Sequence, residues 1–127
     1  MFPKKKRSET YRIPHKVPTT LIEKVNNLGE IHLPKPKRLY FFELLLDMGL
    51  NDYESGLPLE KEMLPRPDKD GWGRFEHWVL LAHVYRLNKL HEEHLPATSR
   101  REFYEYIIML GIQAYEREYT IYGFRKD

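Results

Sequence analysis

The chain contains an internal duplication, which constrains its fold more than any other feature of the sequence. A shift of 62 positions aligns residues 21–54 with residues 83–116 without a gap, and 12 of the 34 aligned pairs are identical. The stretch "HLPKPKR", which begins at His32, thereby matches "HLPATSR", which begins at His94. A repeat of roughly 45 residues is too small to bury a comfortable core alone. We therefore expect the two copies to share one core within a single domain of 127 residues.

The composition excludes several classes of protein. Cysteine is absent, so disulfides and cysteine-built zinc sites are excluded. No apolar run reaches the roughly 18 residues that a membrane span needs. With 41% apolar and 31% charged residues, the chain is typical of a globular protein. We expect a cytoplasmic protein that has no membrane contact and no cofactor.

The positive charge is concentrated at the start of the chain. The net charge is only +2, yet residues 1–10 contain a run of four cations, namely Lys4, Lys5, Lys6 and Arg7. A basic arm on a nearly neutral body is typical of a mobile contact to nucleic acid. The run is equally compatible with a terminus that only improves solubility.

The first unit, residues 11–54, predicts a strand followed by two helices. In "YRIPHKV" the polarity alternates with a period of two, which predicts a strand with an inner and an outer face. The predicted inner residues are Tyr11, Ile13 and Val17, and the outer ones include Arg12 and Lys16. A short helix should follow and stop at Gly29. A longer helix from Lys37 to Tyr53 is apolar over much of its circumference and should be buried.

The second unit, residues 72–119, repeats this order. Arg74, His77 and Val79 match the first strand at the same offset, and "SRRE" predicts a capping box with Ser99 as the N-cap of a long helix. "HWVLLAHVYRL" could instead form one continuous helix from about Arg74, which would remove the second strand. Residues 55–71 have the Pro, Gly and charge content of a linker, and residues 120–127 are predicted to be a tail.

A strand, a short helix, a tight connection and a longer buried helix resemble the ribbon-helix-helix family of DNA-binding proteins, the class of the Arc and MetJ repressors. The resemblance covers about residues 9–54 and 72–119. It implies a mainly α fold in which two tandem units form a pseudo-dimer with one two-stranded antiparallel ribbon. It further implies that this ribbon enters the major groove of double-stranded DNA, as in a transcriptional regulator or a plasmid or phage accessory factor. Homo-oligomers on DNA would be compatible with this function.

The resemblance also implies which residues contact DNA. On the outer face of the ribbon, Arg12, Lys16 and Arg74 would reach base edges. The N-terminus of each second helix would bind a backbone phosphate through its free amides and nearby side chains. These side chains are Lys35, Lys37 and Arg38 in the first unit and Thr98, Ser99, Arg100 and Arg101 in the second.

Other chemistries have weaker support in the sequence. "HEEH" at His91–His94 lacks the i, i+4 spacing of a zinc-protease helix, so we expect no metal site there. We expect His32 and His94 to hydrogen bond the connecting loops. Glu43 and Glu105 recur without a matched His, Ser or Lys, which predicts solvated side chains and no enzymatic activity.

The alternative function is that of a small helical protein that binds and inhibits a protein partner, of a phage or plasmid counter-defence type. Exposed aromatic residues would provide its binding energy. The candidates are Trp72, Trp78, Tyr115, Tyr119, Tyr122 and Phe124.

Overall fold

The computed structural model of the protein describes residues 10–32, 38–75, 78–95 and 98–122, without the side chains of residues 30–32, 38–40 and 119–122. Within these ranges the chain is mainly helical, with four α-helices and two short antiparallel sheets. The elements are β1 (Thr10–Arg12), β2 (Val17–Pro18), α1 (Thr19–His32), α2 (Arg38–Glu54), β3 (Trp72–Gly73), β4 (Trp78–Leu80), α3 (Leu81–His94) and α4 (Arg100–Tyr122).

The same order of elements occurs twice, at the spacing of the duplication. A shift of 62 residues moves α1 onto α3 with both ends matching, and it moves β1 onto β3 and β2 onto β4 to within one residue. The helices α2 and α4 begin at the matched residues Arg38 and Arg100. Because β4 forms at Trp78–Leu80, the alternative of a continuous helix from about Arg74 is wrong.

The two sheets share one register. β1 pairs with β4 and β2 pairs with β3, and in both ladders the numbers of the paired residues sum to 90. The two ladders therefore follow one register, and we refer to them together as the ribbon. The centre of the register falls at Pro14, which has no N–H group to donate to a ladder. In the described residues, the first strand of the ladders covers only Thr10–Arg12 and Val17–Pro18, whereas the sequence predicts one continuous strand.

Contacts between the two units occur in pairs related by the same shift. Phe41 packs edge-on against Tyr115 with ring centroids 5.0 Å apart, and the equivalent pair, Phe103 and Tyr53, has centroids 5.1 Å apart. Each of these aromatic pairs joins α2 to α4. The centre of the fold is thus built from equivalent residues of both units.

The shorter helices are attached to the opposite unit by ion pairs that also match. Lys24 of α1 lies 4.0 Å from Glu116 of α4, while Arg86 of α3 pairs with Glu54 of α2. Because Lys24 and Arg86 are equivalent positions, as are Glu54 and Glu116, the two contacts are copies of each other. Each short helix is therefore joined to the long helix of the other unit by an ion pair at the surface.

The helices α2 and α4 approach each other most closely at two matched glycines. A Cβ atom added to Gly49 would lie 2.2 Å from the carbonyl oxygen of Ile107, and one added to Gly111 would lie 2.1 Å from that of Leu45. Backbone therefore packs directly on backbone at this crossing. The predicted burial of the long helix is confirmed, since Phe41, Phe42 and Leu45 of α2 belong to the core.

Two predicted boundaries differ from the structure. Gly29 does not end the first helix, because α1 continues to His32 and Gly29 is buried inside it. Helix propensity is a weak local preference that tertiary packing overrides. At the other end of the chain, α4 continues to Tyr122, so the predicted tail begins within a helix.

Residues 55–71 are packed on α4 rather than extended into solvent. The side chain of Gln113 accepts a hydrogen bond from the Glu60 amide at 2.8 Å and donates one to the Pro58 carbonyl at 2.9 Å. Leu59 and Leu64 pack against the core. This linker therefore contributes to the fold as well as connecting the two units.

Candidate nucleic-acid interface

The outer face of the ribbon carries the side chains that the sequence assigns to base contacts. Lys16 and Arg74 are exposed, and Arg12 is half-buried opposite Trp78 in the β1–β4 ladder. Trp78 is 45% exposed, so an indole ring shares this surface with the cations. Two-stranded ribbons and cationic side chains are both suited to the major groove.

The inner face of the ribbon agrees with the prediction at two positions and differs at one. Ile13 and Val17 are buried in the core, as expected. Tyr11 is 42% exposed, although its partner Val79 is fully buried. A tyrosine can cover apolar surface with its ring while its hydroxyl stays in water, and the alternating pattern does not reveal this behaviour.

The start of α4 is closed by the predicted cap. The Glu102 amide donates to Ser99 Oγ at 3.1 Å, and Ser99 Oγ donates in turn to the Glu102 carboxylate at 3.3 Å. The predicted role of Ser99 as N-cap is therefore confirmed. Thr98 lies next to it, half-buried, and its carbonyl oxygen accepts a hydrogen bond from His91 Nε2.

Two arginines flank this cap. Arg100 is exposed and pairs with Glu92 at 3.3 Å. The guanidinium of Arg101 lies 4.7 Å from the ring centroid of Trp72, and that of Arg66 lies 4.8 Å from the same ring. Cations at this distance are attracted to an indole ring. The start of α4 therefore presents two arginines, of which Arg101 lies against Trp72 at the end of β3.

The charges of these two arginines affect the pKa of His15, which lies between the two strands β1 and β2. Burial lowers the pKa of His15, and the charges of Arg100 and Arg101 lower that pKa further. His15 lies in the segment between β1 and β2, with its ring centroid 6.2 Å from that of Tyr104. The charges of Arg100 and Arg101 therefore act on the segment between β1 and β2.

The equivalent residues of the first unit are only partly described. Arg38 begins α2, but its side chain lies outside the described residues, as do Lys35 and Lys37. The basic arm with Lys4, Lys5, Lys6 and Arg7 also lies outside them. Their assigned contacts to DNA remain predictions.

The prediction that the two matched glutamates are solvated is wrong. Glu43 is 7% exposed, and its carboxylate accepts hydrogen bonds from the Leu80 amide and from His83 Nδ1, both at 2.8 Å. It therefore fixes the junction of β4 and α3 to α2. The position equivalent to Leu80 in the first unit is Pro18, which has no N–H group to offer Glu105.

Glu105 is completely buried and takes a partner from the linker instead. Arg66 Nη1 lies 3.2 Å from its carboxylate. Burial raises the pKa of Glu105, and Arg66 opposes that rise. The sequence did contain a signal for these buried carboxylates. Glu43 is the one charged residue in the apolar stretch "FFELLL", and Glu105 repeats it at the matched position.

The histidine that binds a connecting loop is His91 rather than His94. His91 Nε2 donates to the Thr98 carbonyl, whereas His94 is exposed and packs edge-on against Tyr53 with centroids 5.8 Å apart. The side chain of His32 lies outside the described residues. In the part of the chain that the structure describes, no group of three or more His, Asp or Glu side chains could hold a metal ion.

Several exposed aromatic residues are relevant to the alternative function. Among the candidates from the sequence, Trp78 is exposed, whereas Trp72 is half-buried between arginines and Tyr115 packs in the core. Tyr85 on α3, which the sequence did not single out, is 65% exposed. The side chains of Tyr119, Tyr122 and Phe124 lie outside the described residues.

Comparison with known proteins does not assign this chain to a class. Neither family models, nor curated proteins, nor solved structures gave a match. Within the described residues, no helix is long and apolar enough to cross a membrane.

Proposed function

We propose that the chain is a tandem ribbon-helix-helix protein that binds double-stranded DNA through its ribbon. The observation that carries this proposal is the common register of the two ladders, combined with the paired contacts between units. A duplication that pairs its own strands and crosses its own long helices has the organisation of a two-fold dimer within one chain. Paired residues in the ladders have numbers that sum to 90, and equivalent residues of the two units differ by 62. A two-fold axis that relates the units would therefore pass next to Pro14.

The ribbon supplies the contacts that would read sequence. A two-stranded ribbon fits the major groove, where an arginine can donate two hydrogen bonds to guanine. Arg12 and Arg74 are matched by the duplication, and Lys16 is exposed on the same segment as Arg12. Trp78 stands at the position equivalent to Lys16, so the two halves of a binding site would be read by different side chains.

The start of each long helix would hold a backbone phosphate. The first-turn amides that no cap occupies and the positive end of the helix dipole favour an anion there. At α4, Arg100 and Arg101 add two positive charges, and Glu102 opposes them with one negative charge. Glu92 pairs with Arg100 at 3.3 Å and adds a second negative charge, so a phosphate would compete with that carboxylate for the guanidinium. Such contacts would position the protein without reading sequence.

Binding to DNA is compatible with a transcriptional regulator or with a plasmid or phage accessory factor acting in the cytoplasm, on the nucleoid or on a plasmid. Both roles require a protein that recognises a particular site among many competing ones. The first measurement is therefore selection of binding sites from random duplexes, followed by titration of the selected duplex against salt.

The double variant Arg12→Ala, Arg74→Ala tests the ribbon. Each bidentate contact to guanine contributes about 1–3 kcal/mol of discrimination, so the selected site should lose most of its advantage over mixed duplex DNA. Lys61→Ala, which removes an exposed cation from the linker, is the matched control and should leave discrimination unchanged. If no sequence is enriched by the parent protein, the ribbon does not read bases.

The double variant Arg38→Ala, Arg100→Ala tests the phosphate contacts. Binding should weaken to all duplexes alike, and the slope of log affinity against log salt should fall by about 2. Circular dichroism should show that both double variants remain folded. An unchanged slope would mean that these arginines do not neutralise phosphates.

The second candidate function is binding of a protein partner, and the exposure of Tyr85 favours it. A tyrosine that is 65% exposed on a helix face adds little to the core and can serve as an anchor in an interface. If the parent protein fails to bind any duplex even at low salt, DNA binding is excluded and this candidate becomes the better one.

A further inference from the structure

The outer face of the ribbon carries different side chains at its two ends. In the β1–β4 ladder, Arg12 is paired directly with Trp78. The register of the β2–β3 ladder, extended by one residue, puts Lys16 opposite Arg74. The shift of 62 residues makes Arg12 equivalent to Arg74 and Lys16 equivalent to Trp78. One end of the ribbon therefore has an arginine beside a lysine, whereas the other has an arginine beside an indole ring.

Trp78 lies on the outer face, and the duplication shows that the fold does not require an aromatic ring at this position. Side chains alternate between the two faces of a strand. Val79 is fully buried and Trp78 is 45% exposed, so the indole faces away from the core. Arg12 shares this face, because directly paired residues have their side chains on the same side of a ladder. The equivalent residue in the first unit is Lys16, which is exposed.

The exchange of a lysine for a tryptophan changes what this end of the ribbon can recognise. A lysine donates hydrogen bonds to the acceptor atoms of guanine in the major groove. An indole ring has no charge and a single N–H donor, and most of its surface is apolar. The apolar group that a base pair presents in the major groove is the C5-methyl group of thymine. The same methyl group is present on 5-methylcytosine.

The pairing of Arg12 with Trp78 also limits the distance between the bases that they contact. Side chains that are directly opposite in an antiparallel ladder start about 4.5–5.5 Å apart. Successive base pairs are about 3.4 Å apart along the DNA axis. A guanine bound by Arg12 and a methyl group bound by Trp78 would therefore lie within about two base pairs of each other.

We propose that Trp78 is a specificity-determining residue that contacts the C5-methyl group of a pyrimidine, and that the protein therefore recognises an asymmetric DNA site. One half of this site has a guanine at Arg12 and a methylated pyrimidine at Trp78. The other half has guanines at Arg74 and Lys16. This inference rests on the proposed binding of DNA by the ribbon and specifies which groups of the DNA are recognised.

The first test is the sequence that the full chain selects from random duplexes. The selected site should lack inverted-repeat symmetry, with a thymine close to a guanine in one half and guanines in the other. Selection of a perfect inverted repeat would overturn the role of Trp78 and leave DNA binding intact. If no sequence is enriched, the proposed function fails and this inference fails with it, so the two failures are distinguishable.

The second test replaces each thymine of the selected duplex in turn by uracil, which lacks only the methyl group and keeps the O4 acceptor. At one position the affinity should fall about fourfold, as expected for the loss of one buried methyl group. If no replacement weakens binding, the methyl contact does not exist and the proposal is wrong. Cytosine and 5-methylcytosine at the sensitive position distinguish the two sources of the methyl group. A preference for 5-methylcytosine would extend recognition to methylated DNA, and equal binding would restrict it to thymine.

Three variants connect the methyl effect to Trp78. Trp78→Ala should bind the thymine and uracil duplexes equally, whereas Tyr85→Ala, which removes an exposed aromatic ring outside the ribbon, should keep the fourfold difference. Trp78→Lys installs the residue of position 16 and should select sites whose two halves are more alike, with guanine in place of the sensitive thymine. If Trp78→Ala still prefers thymine as strongly as the parent protein does, another side chain contacts the methyl group and the proposal is overturned. The uracil test with the parent protein decides the question even if a variant does not fold.

Discussion

Replacing Gly111 by alanine should separate the two long helices. The added Cβ would lie 2.1 Å from the carbonyl oxygen of Leu45 and 2.8 Å from its carbonyl carbon. Contacts between a Cβ atom and backbone are normally at least about 3.4 Å, so α2 and α4 must move apart by roughly 1 Å. Backbone atoms cannot rotate away as a flexible side chain can.

The change in the free energy of unfolding caused by Gly111→Ala is the difference between two opposing contributions. Overpacking a well-packed core costs about 1–3 kcal/mol and occasionally more. Alanine in place of glycine inside a helix contributes about 1 kcal/mol in the opposite direction. Because the clash involves backbone of both helices at the centre of the core, we take the upper end of the overpacking cost, about 3 kcal/mol, and expect a net loss of about 2 kcal/mol. In a domain of this size that loss lowers Tm by roughly 6–10 °C.

The measurement is urea denaturation followed by far-UV circular dichroism. Gly49→Ala is the matched variant, since its Cβ would lie 2.2 Å from the Ile107 carbonyl oxygen, and it should show a similar loss. Once one methyl group has separated the helices, the second costs less, so the double variant should lose less than the two single losses combined. Ala82→Gly at an exposed position of α3 measures the propensity term alone. If Gly111→Ala raises the free energy of unfolding by as much as Ala82→Gly lowers it, the added methyl group meets no clash. The close approach of α2 and α4 at Gly111 would then be wrong.

Two further predictions concern buried and capping polar groups. Because burial raises the pKa of Glu105, its ionisation destabilises the fold, and this penalty is absent at low pH and grows as the pH rises through the raised pKa. The free energy of unfolding of Glu105→Gln should therefore improve relative to the parent protein as the pH rises above 4.5, and a pH-independent difference in urea titrations would contradict this. Ser99→Ala removes the cap of α4 and should cost about 1 kcal/mol in the same assay, whereas Ser55→Ala, an exposed serine after α2, should cost nearly nothing.

The duplication made the element order predictable from the sequence. Helical spacing and the Ser99 cap located the helices, and the matched Arg74 and Val79 indicated a second strand that local propensity alone left ambiguous. Each of these signals depends either on residues that are close in the sequence or on a direct comparison of the two copies. Both are readable in one sequence.

The buried carboxylates could not be assigned in this way. The partners of Glu43 are the Leu80 amide and His83, which are 37 and 40 residues away. The partner of Glu105 comes from the linker at Arg66, where the duplication has no counterpart. Tyr11 was misassigned for a similar reason, because its exposure depends on what packs above it rather than on the period of the strand.

Matched contacts between the two units, such as the aromatic pairs that join α2 to α4, have a consequence for how the chain can evolve. In a symmetric dimer, every substitution enters the shared core twice and must be compatible with its own copy across the axis. Here Arg86 and Lys24, or Tyr104 and Phe42, occupy equivalent places and yet differ. The linker also makes the association of the two units intramolecular, so that association does not depend on protein concentration. One unit can therefore acquire new side chains at such positions while the other unit keeps the residues that pack the core.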